Sequence, residues 1–212
     1  MAPYFNLEQL EAAADLVHRT VQPTPQYAWP LISEWLGCEA WVKHENHTPI
    51  GAFKVRGGLV YIDDLKASQP DVAGVISATR GNHGQSIALA ASRSGLRAVI
   101  YIPQGNSVEK NAAMRAFGAE LVEHGVDFDE AKDECMRVAE ARGLHAVPSF
   151  HPLLVRGVAT YALEFFRNSP ELDVAYVPIG MGSGICGMIA ARDALGLSTD
   201  IVGVVAAGAP TV

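Results

Sequence analysis

The chain has 212 residues, 49% of them hydrophobic and 18% charged, with a formal charge of −7. That is globular composition, long enough for one large or two small domains, and the acidic balance argues against nucleic acid as a partner. Three cysteines (Cys38, Cys135 and Cys186) without a C-x-x-C spacing argue against a disulfide framework or a zinc site and fit a reducing cytoplasm. Residues 1–10 lack a basic region followed by an apolar run, so no signal peptide is expected, and no apolar stretch is long enough to span a membrane.

In chain order, Asn6 and Gln9 have the spacing of a capping box, and Leu7, Leu10, Ala14 and Val17 continue at helical period. Pro23, Pro25 and Pro30 then read as a break. Residues 40–44 read as a short strand. Apolar, β-branched runs follow at 74–76, 98–102, 174–179 and 201–205. Helical patterns lie between them, marked by Ile87, Ala88 and Ala91; by Val108, Met114 and Phe117; by Phe128, Ala131, Cys135 and Val138; and by Leu154, Val158, Tyr161 and Phe165. Short continuous apolar runs are strands buried on both faces. Their alternation with helices predicts an α/β fold of doubly wound, mainly parallel sheets. Ligands in such folds bind where the carboxyl ends of strands lead into helices.

Three segments stand at places of that kind. In residues 49–58, Lys54 follows Phe53 in an apolar, glycine-flanked turn. Burial of an amine there lowers its pKa and makes it a better nucleophile, whereas a lysine at a helix start could equally reach to solvent. In residues 77–85, Thr79, Arg80, Gly81, Asn82 and His83 join a strand to a helix start, which favours an anion such as a carboxylate. His83 reads either as structural or as catalytic. In residues 178–185, Gly180, Met181, Gly182, Ser183 and Gly184 expose backbone donors at a second helix start and suit a phosphate, although a plain tight turn or a mononucleotide site would look similar.

In this order and at these spacings the three loops resemble the fold-type II pyridoxal 5′-phosphate (PLP) enzymes, and within them the threonine dehydratase and serine racemase group. The family pattern is S-x-K-x-R-G, then S-x-G-N-H-x-Q, then a glycine-rich phosphate loop, and the likeness covers residues 24–205. The resemblance implies that Lys54 forms a Schiff base with the cofactor and shuttles the α-proton, and that Phe53 lies beside the cofactor. It implies that Asn82 hydrogen-bonds the ring oxygen and that residues 180–184 hold the phosphate. Thr79, Arg80, Gly81, Asn82 and His83 would receive the substrate carboxylate. The implied reaction is β-elimination from threonine or serine to a 2-keto acid and ammonia. The implied protein is cytoplasmic and a homo-oligomer, often a dimer, with a small amino acid as its substrate and neither nucleic acid nor membrane as a partner. Its large domain would comprise residues 1–72 and 149–212, with a small domain, 73–148, inserted and the cofactor in the cleft.

Four departures qualify that expectation. Ala52 replaces the usual serine two positions before the lysine and removes one hydrogen bond to the phosphate. Arg80 stands where serine racemase has an acid/base serine; arginine is a poor base, so racemisation is disfavoured, and Arg80 reads either as the partner of an anionic group, such as the side-chain carboxylate of 3-hydroxyaspartate, or as an arginine that faces solvent or pairs internally. Residues 205–210 carry no carboxylate, so the metal site of serine racemases is not expected. Family members continue well beyond position 212, which leaves the large domain incomplete at its C-terminus and lacking the group that contacts the pyridine nitrogen. The alternative functional reading is a truncated, catalytically silent PLP-binding or partner-dependent protein.

Overall fold

The computed structural model describes residues 4–208. Asn6 accepts a hydrogen bond from the Gln9 amide at 2.8 Å and Gln9 Oε1 accepts one from the Asn6 amide at 3.0 Å. This closes the expected capping box and starts α1 (Leu7–His18). There follow β1 (Gln26–Ala28), α2 (Pro30–Leu36), β2 (Trp41–Lys43), a 3-10 turn (Glu45–His47) and α3 (Lys54–Ser68). Next come β3 (Val75–Ala78), α4 (Asn82–Arg93), β4 (Ala98–Ile102), α5 (Val108–Ala116), β5 (Glu120–Glu123), α6 (Phe128–Arg142) and β6 (His145–Ala146). The chain continues through α7 (Pro152–Arg167), β7 (Val174–Pro178), α8 (Ser183–Leu195) and β8 (Asp200–Val204).

The architecture is α/β with mainly parallel sheet. A four-stranded sheet runs β5-β4-β3-β6, every neighbour parallel. β7 and β8 form a second parallel pair, and β1 and β2 an antiparallel hairpin. Pro30 does not simply break the chain. It occupies the first turn of α2, where its fixed φ suits a helix and its missing N–H costs nothing. No helix among the described residues is long and apolar enough to cross a membrane. The N-terminal reading includes Met1–Pro3, and the reading of residues 205–210 includes Ala209 and Pro210; these lie outside the described residues.

Contacts divide the chain into two compact units, one of Met1–Phe53 with Val158–Val212 and the other of Lys54–Gly157. The boundaries read from the sequence, 72/73 and 148/149, differ from these by the placement of α3 and the start of α7.

In the Lys54–Gly157 unit, β3 and β4 are buried on both faces. Ala98, Ile100 and Ile102 point to one side, where Ile62, Ile87 and Met114 from α3, α4 and α5 meet them. Val99 and Tyr101 point to the other, against Cys135, Val138 and Ala139 of α6. This is the period-two alternation of a strand between two helical layers. Three glycines let helices approach closely. A Cβ on Gly157 would stand 2.3 Å from Arg56 O, and one on Gly57 would stand 2.7 Å from Leu154 O, so α3 and α7 cross there. Gly58 faces Ser86 of α4 in the same way.

In the other unit, Glu164 of α7 gathers three donors. Lys43 Nζ lies 2.7 Å away, His18 Nε2 2.8 Å, and the Thr24 amide 3.3 Å. Both side chains of the Lys43–Glu164 pair are 6% exposed. Thr24 Oγ1 donates onward to Glu45 at 2.6 Å. One buried carboxylate therefore ties α7 to α1 and to the β1–β2 hairpin.

Candidate active site

Lys54 does not sit in a turn, as its glycine flanks suggest; it is the first residue of α3. The turn lies just before it. Gly51, at φ 66°, donates to Thr48 O, and the Thr48 hydroxyl both accepts from and donates to the Ala52 backbone at 2.9 Å. The Lys54 carbonyl accepts a hydrogen bond from Ser86 Oγ at 2.6 Å, which fixes the first turn of α3 to α4. Burial holds the Lys54 amine below the ordinary lysine range. A larger fraction is then neutral and nucleophilic at a given pH.

The segment Thr79–His83 leaves the carboxyl end of β3 and opens α4 with Gly81 as N-cap. Thr79 Oγ1 accepts from the amides of Gly81 at 3.0 Å and Gly84 at 3.3 Å, so a buried hydroxyl shapes the loop from below. Gly84 is pinned against Thr79, Met114 and Ile100, where a Cβ would find contacts of 2.4–3.1 Å. Arg80 and Asn82 are exposed. His83 is held down to about pKa 4, first by burial, then by the charge of Lys54; a hydrogen bond with the Val147 backbone opposes both. It is therefore neutral at neutral pH, and its Nε2 is buried with no partner among the described residues. The Lys54–Gly157 unit thus brings together the amine and the loop at 79–83.

The glycine loop belongs to the other unit. β7 ends at Pro178 and α8 begins at Ser183, with Gly182 as N-cap at φ 93°. That φ favours glycine, and the cap offers backbone rather than a side chain to the helix start. Gly180 has open space around its Cα, and Met181 is exposed. Phe53 belongs here too. Its ring carbons lie 3.2–3.7 Å from where a Gly184 Cβ would stand, and its ring is 5.7 Å from that of Tyr161. Tyr161 Oη donates to Gly184 O at 3.1 Å. A cavity of 440 Å³ in the same unit is walled mainly by apolar groups such as Ile32, Leu36, Trp41 and Val177; of the expected cofactor residues only Phe53 lines it.

Three residues at these loops carry no local signature in the sequence. Tyr161 reads only as one member of an apolar helix face, and its hydroxyl contact is long-range. Ser86 and Lys110 are ordinary helix residues until the fold sets Ser86 against Lys54 and Lys110 against Gly81. Among the described residues, no group of three or more His, Cys, Asp or Glu is placed to hold an ion.

The chain is similar in sequence and fold to known proteins. The biosynthetic L-threonine dehydratase IlvA of Haemophilus influenzae is 38% identical over 173 residues, which is 81% of this chain and 34% of that one. The L-threonine ammonia-lyase of Geobacter sulfurreducens is 35% identical over 215 residues, 100% of this chain and 52% of that one. A crystal structure of a pyridoxal 5′-phosphate-dependent aspartate racemase superposes with a TM-score of 0.89 at 27% identity, over 94% of this chain and 62% of that one. The chain therefore spans between about a third and two thirds of the length of these relatives. A family model described as pyridoxal-phosphate dependent enzyme matches residues 17–212, and with the lysine, asparagine and glycine loops in place the chain belongs to that family.

Proposed function

We propose that this protein takes part in PLP-dependent elimination of water and ammonia from a β-hydroxy amino acid, threonine or serine, giving a 2-keto acid; 3-hydroxyaspartate is a further candidate substrate. The observation that carries this reading is a half-buried lysine of lowered pKa, Lys54, in one compact unit with a helix-start loop suited to a carboxylate. The residues fit the cofactor. Lys54 offers an amine for its aldehyde, and Gly182 and Gly184, on either side of Ser183, carry no β-carbon at the N-cap and second residue of α8, which suits a phosphate. When bound, PLP supplies the electron sink for loss of the α-proton and the β-hydroxyl.

The chain's own residues do the rest. Lys54 would anchor the cofactor and afterwards take the α-proton, a task that a lowered pKa favours. Phe53, held against Gly184 and Tyr161, packs beside the cofactor. By the family resemblance, Asn82 would hydrogen-bond the ring oxygen, and Gly180, Met181, Gly182, Ser183 and Gly184 would hold the phosphate. Backbone donors from Thr79 to His83 orient the substrate carboxylate. His83 stays neutral, so the loop's cationic character comes from Arg80. With arginine at position 80 there is no hydroxyl for a second-face proton transfer, so elimination is favoured over racemisation.

The test is direct. Purified protein supplied with PLP should show a yellow absorbance band that borohydride removes and that Lys54→Ala lacks, and it should release keto acid from threonine, serine or 3-hydroxyaspartate. A band without keto acid assigns a PLP-binding protein without turnover. A band that persists in Lys54→Ala removes Lys54 from its role.

A further inference from the structure

The loop at 79–83 has more positive charge than one carboxylate requires. Lys110, in the first turn of α5, is held there by Ser107, whose Oγ accepts from the Lys110 amide at 3.3 Å. Its side chain lies across Gly81. Lys110 Nζ and Cδ each stand 3.0 Å from where a Cβ on residue 81 would be, and Cε stands 3.4 Å away. A side chain at position 81 would push Lys110 aside, so glycine there also makes room for the lysine. Among the described residues neither the Lys110 ammonium nor the exposed Arg80 guanidinium makes an ion pair. The neighbouring Glu109 hydrogen-bonds Ser107 instead. Backbone amides at a helix start can receive one carboxylate without either cation. Two unpaired cations beside such a loop suit a second anionic group.

We infer that Lys110, together with Arg80, selects substrates with a second carboxylate, so that the preferred substrate class is β-hydroxy dicarboxylic amino acids rather than threonine. This rests on the elimination chemistry proposed above, but its first test does not. L-malate and L-lactate differ by one carboxylate, and neither has an amine to react with the cofactor. Titrated calorimetrically into the PLP-loaded full chain at low salt, malate should bind at least about tenfold more tightly than lactate. Lys110→Met should weaken malate about fivefold, the scale of one solvent-accessible charge pair, and leave lactate within twofold. Lys110→Arg should keep most of the preference.

Equal binding of the two acids by the native protein overturns the inference, as does an equal loss of both in Lys110→Met, which would place Lys110 on the common carboxylate. In turnover, the ratio of kcat/KM for 3-hydroxyaspartate over threonine should exceed one and fall in Lys110→Met. If neither amino acid yields keto acid, the elimination reading fails, while the malate-to-lactate ratio still decides the role of Lys110.

Discussion

Replacing Gly157 with alanine probes whether Lys54 is positioned by direct backbone contact between α3 and α7. The new Cβ would stand 2.3 Å from Arg56 O and 2.8 Å from both Arg56 C and Gly57 Cα. All three are backbone atoms, so no rotamer change relieves the clash. Ordinary contact begins at 3.4 Å, so the helices must part by roughly 1 Å. Overpacking of this kind costs about 1–3 kcal/mol, and an all-backbone clash belongs near the upper end. Alanine recovers about 1 kcal/mol of helix propensity over glycine, leaving a net loss of about 2 kcal/mol. For a chain of this size that lowers Tm by roughly 4–8 °C. Thermal unfolding followed by circular dichroism measures it. Gly57→Ala places a Cβ 2.7 Å from Leu154 O on the same crossing. One separation of the helices accommodates both methyl groups, so the double variant should lose less than the sum of the single losses. Because Lys54 lies three residues before Gly57, both variants should also retain less cofactor after gel filtration. A Gly157→Ala protein that melts within 1 °C of the native one, or losses that simply add, would refute the contact as the determinant.

Two further outcomes concern the buried charges. His83 titrates near 6.5 when unfolded and at about 4 in the fold, so the unfolded chain takes up its proton first as pH falls. Its contribution to stability is complete above pH 6.5 and is lost between pH 6.5 and about 4, on the order of 3 kcal/mol, and denaturant titrations of His83→Asn should show that acid-side slope flattened. Glu164→Ala removes a buried carboxylate that lies 2.7 Å from the Lys43 ammonium and should cost about 3–5 kcal/mol in urea unfolding, with Glu164→Met, Lys43→Met recovering most of it; a single-variant loss below about 1 kcal/mol would mean that other groups or water take over the carboxylate's part.

The inner sheet was legible because its cause is local. The runs at 98–102 and around 75 are apolar on both faces, and only a strand between two helical layers needs that. β5 was not legible: Glu120 and Glu123 bracket it at the sheet edge, where charge is tolerated. β6 pairs over only two residues. The prolines read as a break because Pro30 is an advantage only if the next residues, from Leu31 onward, go on to form a helix. At Lys54 the residue type was readable from its motif, but the sequence left a turn and a helix start both open, and the fold places it at a helix start. Gly57 and Gly58 look like turn residues in sequence, and the reason for them lies about a hundred residues away at Leu154 and about thirty away at Ser86. Lys110 has no sequence signal, since only the fold lays it across Gly81.

The same contacts that fix Lys54 in place also set its chemistry. Ser86 of α4 holds the Lys54 carbonyl, and α4 begins with the loop that presents Asn82 and His83. The amine and the loop at 79–83 are therefore referenced to one helix rather than to two separate loops. Burial from this packing depresses the pKa of Lys54 and is the largest cause of the depression at His83, where the lysine's charge adds to it. Loosening α3 from α4 should then let water in and move both values back toward their ordinary ranges together. Glycines at 57, 58 and 157 give up helix propensity to bring backbones together, and the packing they allow supplies the burial that lowers the pKa of Lys54.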